Sequence, residues 1–521
     1  MTRPPGSPDA MPRLATYQPL TIDSGIRAAS NRAGGKVALS EGERRLTYRQ
    51  LVERIDRVAA LGAAFGLRPG DHAALLAGNC LEYIEIVCGL SCSGIAVATP
   101  SPRLAAAELA FILQDCAARV LFADPALEDL VRALDLPALE RIVVLGPPYE
   151  DLLAQAHPHR PAVTVQEWDT FSIPYTSGTT GKPKGVLLSH RARTLCFAAM
   201  AVEFGCYSPD DRALAIAPLC HGAGLAFALA PVFFGGACEI VPRFDPEQLL
   251  ARLDRFAATN VFLVPTHFHA IFSLDAATLG RHRHPALRSI ISNAAPLPQA
   301  TKERIVAYFG ADILHECYGS TETGIVCNLR PQDQLRKTKC VGLPFPCTEV
   351  RILREDGSEA APGEIGELFS TGPTLFNGYW DRPGETGAAL RDGRWFSAGD
   401  LATRDDEDYL YIVDRKKDMV ISGGINIYPR EIEEALFAHP AIADAAVIGV
   451  PDAYWGEALK AFVVPRPGMQ VSPQALQEHC RARLAGYKTP REFAFVESLP
   501  RNPAGKILKT ALRSRAARAD G

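Results

Sequence analysis

Apolar runs alternating with helical periods, from Thr47 to beyond Ile291, narrow the possible folds of this chain more than any other feature. Leu51, Ile55, Val58 and Ala59 recur at helical spacing, and Thr47 with Gln50 has the form of a capping box, which predicts a helix from Thr47 to Phe65. The turn GLRPGD then leads into a strand-like HAALLAG, a second helix from Leu81 to about Leu90 and an apolar strand, GIAVA. The pattern recurs around Phe122, 142–145, 214–217, 261–264 and 289–291. Short strands separated by helices bury their faces as parallel βα units, so the chain is of the α/β class. No fixed repeat length runs through it, which excludes a solenoid.

At 521 residues the chain is too long for a single core, and its texture changes near Asp414. There a strand ending YLYIVD runs into the charged RKKD and the glycine pair of ISGGINIYP. Beyond it the sequence predicts a short helix opening at Pro429, strands at 446–450 and 461–464, and a helix started by Ser472 and Pro473. A strand FAFV and a basic final helix follow. The division expected is a flexible tail over 1–18, a large domain over 19–415 and a small mobile α+β domain over 416–521, with a hinge near Lys417.

Lys plus Arg (55) nearly balance Asp plus Glu (59), for a net charge of −4, which argues against a surface built to coat nucleic acid or anionic lipid. A small-molecule partner is expected instead. The 13 cysteines lack paired CxxC spacing, so reduced, buried thiols in a cytoplasmic protein are the expectation. Leu214 to Cys238 carries no Asp, Glu, Lys or Arg and is long enough to cross a bilayer. Pro218, Pro231 and four glycines fit a strand, turn and helix in a protein core better than a lone helix in lipid. The proline-rich opening, MTRPPGSPDAMPRL, lacks the apolar stretch of a secretion signal.

The segment YTSGTTGKPKG, residues 175–185, carries the strongest chemical signal. Gly178, Gly181 and Gly185 let the backbone turn its N–H groups inward, Thr176, Ser177, Thr179 and Thr180 add hydroxyls, and Lys182 and Lys184 add charge. Such a loop grips polyphosphate. It is not a Walker A loop, which needs four residues between its glycines and GK[ST] entering a helix; here two residues separate Gly178 from Gly181 and Pro183 follows Lys182.

With this loop come APLCHGAG at 217–224, YGSTET at 318–323, GELFSTGPTLFNGYW at 366–380 and WFSAGDLA at 395–402. DRKKDMVISGGINIYPREIE at 414–433 and PRNPAGKILK at 500–509 complete the series. In this order the seven segments resemble the signatures of the adenylate-forming superfamily, in its acyl- and aryl-CoA synthetase branch, over about residues 20–515. The resemblance implies a large N-terminal domain of layered βα subdomains with a small mobile lid, and a reaction in two halves. A carboxylate attacks the α-phosphorus of MgATP and releases pyrophosphate; a thiol, coenzyme A for this branch, then attacks the acyl-AMP and releases AMP.

The resemblance also assigns residues. Tyr318 and Gly319 would face adenine, Thr321 the α-phosphate, and Glu322 with Thr176 the Mg²⁺, for which a hard carboxylate is suited. Asp400 would take the ribose hydroxyls and Arg415 the ribose or phosphate; by themselves these two read equally as an interface ion pair. Lys506, in a proline- and glycine-rich loop, would bring its charge to the reacting phosphate and carboxylate. His221, on its own more often a core histidine, would gate the acyl pocket. Gly423 and Gly424 would flank pantetheine, and Trp455, Tyr487 and Arg491 would meet CoA, although Thr489 stands where related ligases offer a cation.

After the glycines of 217–224 this chain reads LAFALAP, with no aspartate to hold a substrate amine, so an apolar acid is expected: fatty, aryl or polycyclic. Ala226, Ala294 and Ala295 suggest a roomy pocket, and Asn293 stands where relatives usually have glycine. Two alternatives remain open: a ligase that loads an acyl carrier protein, and a non-catalytic adenylate sensor, against which Glu322 and Lys506 both weigh. Neither a nucleic-acid partner nor stable membrane insertion is expected, and the assembly is a monomer or homodimer.

Overall fold

The computed structural model describes residues 18–158, 161, 163–177, 182–452, 454–501 and 506–519. Two largely parallel sheets form the centre of the large N-terminal part. In the first, six parallel strands run in the order Leu314–Ser320, Ser289–Ser292, Asn260–Leu263, Arg212–Ala215, Ala237–Ile240 and Val37–Glu41, with antiparallel strands closing both edges. The second places Thr170–Ile173, Ala96–Ala98, His72–Leu76, Val120–Ala123 and Arg141–Val144 in parallel order.

Helices fill the space between these sheets. One core cluster draws Leu39 and Cys238 from the first sheet and Val97 and Phe122 from the second. It also takes residues from the helices Tyr48–Ala64, Leu81–Ser91, His190–Phe204 and Gly222–Phe233. Tyr48–Ala64 starts as the sequence predicts, with the Thr47 side chain accepting from the Gln50 backbone and Gln50 reaching back to Thr47; such a cap contributes about 1 kcal/mol. Every residue of Leu81–Ser91 is buried, Glu82 and Glu85 included. Its Glu85 is accommodated by Arg54 at 2.5 and 2.8 Å and by the Tyr149 hydroxyl at 2.6 Å.

The uncharged stretch from Leu214 resolves as expected into a strand end, the helix Gly222–Phe233 with Pro231 in its last turn, and the strand Ala237–Ile240. Among the described residues no helix is long and apolar enough to cross a membrane. All 13 cysteines are free; 11 are buried, Cys80 is half-buried, and Cys347 is exposed, contrary to the expectation of uniformly buried thiols.

A third, antiparallel sheet contains Glu349–Leu353, Gly366–Thr371, Asp400–Arg404 and Leu410–Arg415 and puts Asp400 opposite Arg415. Beyond Lys416–Asp418, a single 3₁₀ turn, lies the smaller C-terminal domain. Its sheet pairs Ile442–Asp452 with Gly456–Pro465, and the period of two sends alternate side chains to opposite cores. Ala445 and Val447 pack with the helices Pro429–Phe437 and Pro473–Arg481, whereas Ala446 and Ile448 pack with Lys509–Ala519.

Candidate active site

The strands Leu314–Ser320 and Gly324–Leu329 form an antiparallel hairpin whose turn carries Thr321, Glu322 and Thr323. The turn is pinned from outside: Thr374 Oγ1 donates to the Thr323 carbonyl at 2.7 Å and the Phe376 N–H to the Glu322 carbonyl at 2.7 Å. The Glu322 carboxylate is 9% exposed and its Oε1 accepts from the Tyr379 hydroxyl at 2.9 Å. Burial and this carboxylate together push the Tyr379 phenol far above its ordinary pKa, so it stays a donor. Glu322 Oε2 receives no hydrogen bond among the described residues, which leaves a hard oxygen for a cation.

At the start of this turn, Tyr318 donates to Asp400 Oδ2 at 2.5 Å, and Arg415 Nε lies 3.4 Å from Asp400 Oδ1. Asp400 is 7% exposed. The Tyr318 phenol is pushed far upward, first by burial and then by Asp400. Gly319 continues the same strand.

Lys506 reaches the same cleft. Its side chain is accessible to solvent, yet the surrounding protein lowers its pKa through desolvation, with Arg415 and Lys417 acting in the same direction and Asp400 and Glu322 opposing it. The C-terminal domain therefore presents this ammonium among the groups expected for ribose and metal. Lys417 is exposed; partial desolvation and then Arg415 lower its pKa, and its neighbour Asp418 is anchored by Arg513 at 2.8 Å.

The stem of the phosphate loop is a two-stranded ladder, Tyr175–Ser177 against Pro183–Gly185, with Thr176 opposite Lys184. Its foot is fixed by the Tyr175 hydroxyl on Asp115 at 2.7 Å and by the Trp380 N–H on the Gly185 carbonyl at 2.8 Å. Gly178, Thr179, Thr180 and Gly181, expected to cradle phosphate, lie outside the described residues, and of Ser177 only the backbone is described. Lys182 is exposed, 5.8 Å above the Phe111 ring. Lys184 departs from the expectation of a charge open to phosphate: it is buried, ion-paired with Glu385 and 4.9 Å above the Tyr379 ring. The physical reason is its place in the ladder, which turns the side chain toward the segment 379–385.

His221 is the N-cap residue of Gly222–Phe233, yet its side chain makes no cap bond, and its buried Nε2 has no partner among the described residues. Burial, then the charges of Arg103 and Lys506, lower its pKa, so the ring is neutral at pH 7. Ala226 is buried one turn further on. Asn293 is half-buried while Ala294 and Ala295 are exposed, and Ala294 holds a positive φ of 78°, a strained conformation for a residue with a Cβ. Glu316 anchors that loop by accepting from the Leu297 N–H at 2.9 Å, and Glu316 is itself paired with the buried Lys302.

In the C-terminal domain Gly423 (φ 58°) and Gly424 (φ 79°) form the two-residue turn between Val420–Ser422 and Ile425–Ile427. Positive φ at both positions is what a tight hairpin turn demands, a requirement independent of any ligand. A Cβ on Gly423 would also lie 2.7 Å from Trp455 Cε3. Arg491 stacks 4.9 Å over the Trp455 ring and lies 3.7 Å from Asp452. Tyr487 is half exposed on a separate 3₁₀ turn, Gly486–Lys488, and Thr489 is buried. The structure thus assembles Gly423, Trp455 and Arg491, and among the described residues no side-chain bond joins Tyr487 to them.

Several residues here were not singled out from the sequence. Tyr379 lies within the GELFSTGPTLFNGYW segment, so its position was signalled but its role was not. Asp115 and Glu385, which brace the loop stem, come from distant segments without a local pattern. Arg193, considered below, sits in a helix with no motif of its own.

The stem of a glycine-rich segment, the buried carboxylates of Glu322 and Asp400, and the Lys506 ammonium brought to them from the small domain define an enzyme that handles a nucleotide and an acid. A family profile described as "AMP-binding enzyme" matches residues 26–380, and one described as "AMP-binding enzyme C-terminal domain" matches 431–506. A feruloyl-CoA synthase of Amycolatopsis sp is 38% identical over 483 residues, covering 92% of this chain and 95% of that protein. A fatty acid–[acyl-carrier-protein] ligase, ScoC, of Streptomyces coeruleorubidus is 34% identical over 492 residues, 92% of each chain. The ATP-bound crystal structure of MatB from Rhodopseudomonas palustris superposes with a TM-score of 0.88 at 30% identity, covering 96% of this chain and 99% of that one. The chain belongs to the AMP-binding, adenylate-forming enzyme family. It is an AMP-forming acid–thiol ligase, and its cofactors are ATP, Mg²⁺ and coenzyme A. Among the described residues no cluster of three or more His, Cys, Asp or Glu side chains is set to hold a metal alone. Mg²⁺ takes one or two carboxylates and completes its shell with phosphate oxygens and water, a role the buried Glu322 carboxylate suits.

Proposed function

We propose that this enzyme activates a carboxylic acid with a sizeable apolar body as its acyl-adenylate and delivers the acyl group to the thiol of coenzyme A. The observation that carries the reading is the gathering of Glu322, Asp400, Arg415 and Lys506 in one cleft. Asp400 receives the ribose hydroxyls, Tyr318 and Gly319 flank the adenine, and Arg415 stands over the ribose and phosphates. Thr176 and Glu322 hold Mg²⁺, which offsets phosphate charge when bound, while Thr321 and the loop from Thr176 to Lys182 hold phosphate oxygens. Lys184 contributes through Glu385 by stiffening the loop stem.

Lys506 brings a positive charge to the point where carboxylate and α-phosphate meet, lessening their repulsion and stabilising charge that builds on the phosphoryl oxygens. The large domain, 19–415, then exchanges one face of the small domain, 416–521, for another by rotation near Lys417. That movement brings Gly423, Trp455 and Arg491 to the CoA. The helix Gly222–Phe233, apolar from Leu225 to Phe233, with His221 at its head and the loop 293–295 across the cleft, supports an acid with an apolar body.

The similarity to ScoC favours one second reading, in which the acceptor is the phosphopantetheine thiol of a carrier protein. Pyrophosphate–ATP exchange with ferulate, 2-succinylbenzoate, indoleacetate and long-chain fatty acids selects the acid. Mass spectrometry of thioesters formed with free CoA and with a holo carrier protein then decides the acceptor. Exchange with none of these acids, or thioester on the carrier alone, contradicts the corresponding half of the proposal.

A further inference from the structure

Arg193 lies on the helix His190–Phe204 and is 7% exposed. A buried guanidinium ordinarily pairs with a carboxylate, because an unpaired one forfeits its hydration without compensation. Here no carboxylate and no carbonyl oxygen lies within bonding distance of Arg193 among the described residues; the thiol of Cys196, a turn away, lies against it. Even half-buried arginines of the fold behave differently: Arg27 has Asp23 and Asp56, and Arg54 has Glu85 and Glu150.

The direction of the side chain is informative. One guanidinium nitrogen lies 2.9 Å from where a Cβ on Gly222 would stand, and the Thr321 methyl is 3.5 Å from the same point. Any side chain at 222 would displace the cation. Arg193 also borders a crevice lined mostly by apolar side chains, Phe171, Phe197, Leu225 and Leu229 among them, with Thr99 and Ser172 as its hydroxyls, and the crevice leaves no room for a water molecule to compensate the charge. At the same helix end stand the orphan Nε2 of the N-cap residue His221 and a first turn whose N–H groups have no side-chain cap, with Thr321 beside Gly222. Helix N-termini favour negative charge, and Lys506 is close enough to be felt at His221.

We propose that Arg193 and the uncapped N-terminus of the helix Gly222–Phe233 form the seat of the reacting carboxylate, Arg193 being a substrate-binding residue that supplies the buried charge the anion needs. The inference rests on the adenylation reading and adds where the acid's charged end binds before it meets the phosphorus. The cation is left unpaired in the free enzyme so that the substrate becomes its partner, which costs stability when the site is empty. The same seat disfavours an amino acid, whose ammonium would be driven toward the guanidinium.

Arg193→Met keeps length and bulk while removing the charge, and Arg193→Lys keeps the charge without the fork. In acid-dependent pyrophosphate exchange, Arg193→Met is expected to raise KM for the acid by about tenfold or more, with KM for ATP within about threefold, and Arg193→Lys to fall between. Wild type should prefer the acid over its neutral primary amide as a ligand, and Arg193→Met should lose that preference. The Tm of ligand-free Arg193→Met should equal or exceed that of wild type. An acid KM unchanged within about twofold overturns the inference, as does a rise in the ATP KM alone, which would assign the anion to the nucleotide. If wild type exchanges with no acid, the adenylation reading fails, and the ligand-free melt decides the inference separately: a clearly lower Tm for Arg193→Met overturns it.

Discussion

Replacing Asp400 by Asn keeps the shape of the side chain and removes its charge, so it isolates what the carboxylate contributes. Its two oxygens offer about four acceptor positions, of which Tyr318 takes one at 2.5 Å and Arg415 approaches another at 3.4 Å. That leaves capacity for the two ribose hydroxyls. A hydrogen bond to a charged acceptor contributes about 1.5–3 kcal/mol and one to a neutral acceptor about 0.5–1.5, so each ribose contact should weaken by about 1–1.5 kcal/mol. Two contacts give about 2–3 kcal/mol, or roughly a 30- to 150-fold rise in KM for ATP. Arg415 is exposed, so loss of its ion pair should add little. The assay is pyrophosphate exchange at saturating acid with ATP varied, alongside thermal melting. An ATP KM within about threefold of wild type together with a lowered Tm would show that Asp400 serves only to join strands and domains.

Three further predictions follow from the same geometry. Lys506 acts protonated and its pKa lies below 10.5, so kcat/KM for adenylation should fall as pH rises through that lowered value. In Lys506→Arg the charge persists and this alkaline limb should disappear, so a pH profile identical in the two proteins would contradict the assignment. Gly423→Ala forces a Cβ into a positive-φ turn 2.7 Å from Trp455, at a cost of roughly 1–2 kcal/mol, and should slow thioester formation while leaving pyrophosphate exchange near wild type. Trp455→Ala should raise KM for CoA by about five- to thirtyfold without altering the KM for ATP, measured by thioester release; an effect on exchange instead would place Trp455 outside the thiol site.

Much of the fold was legible because it rests on local physics. The capping box at Thr47 and Ser472 with Pro473 opening a helix each follow from residues within a turn of one another, and the βα alternation follows from the periodicity inside each short segment. The candidate site was legible where a short segment carries the chemistry, as with Glu322 and Asp400. It was not legible where partners come from afar. Nothing near Lys184 announces that Glu385 will take its charge, and nothing in the helix His190–Phe204 announces that Arg193 will find no acid. Gly423 and Gly424 teach a related lesson, since a role in ligand passage was expected while the hairpin turn alone already requires glycine at both.

The central claim, that a carboxylate oxygen attacks the α-phosphorus of ATP, leaves a mark that can be weighed. An acid labelled with ¹⁸O in both carboxylate oxygens should yield AMP carrying one ¹⁸O in its phosphate, with the other retained in the thioester carbonyl and none in pyrophosphate. Unlabelled AMP, or label in inorganic phosphate alongside ADP, would contradict the account.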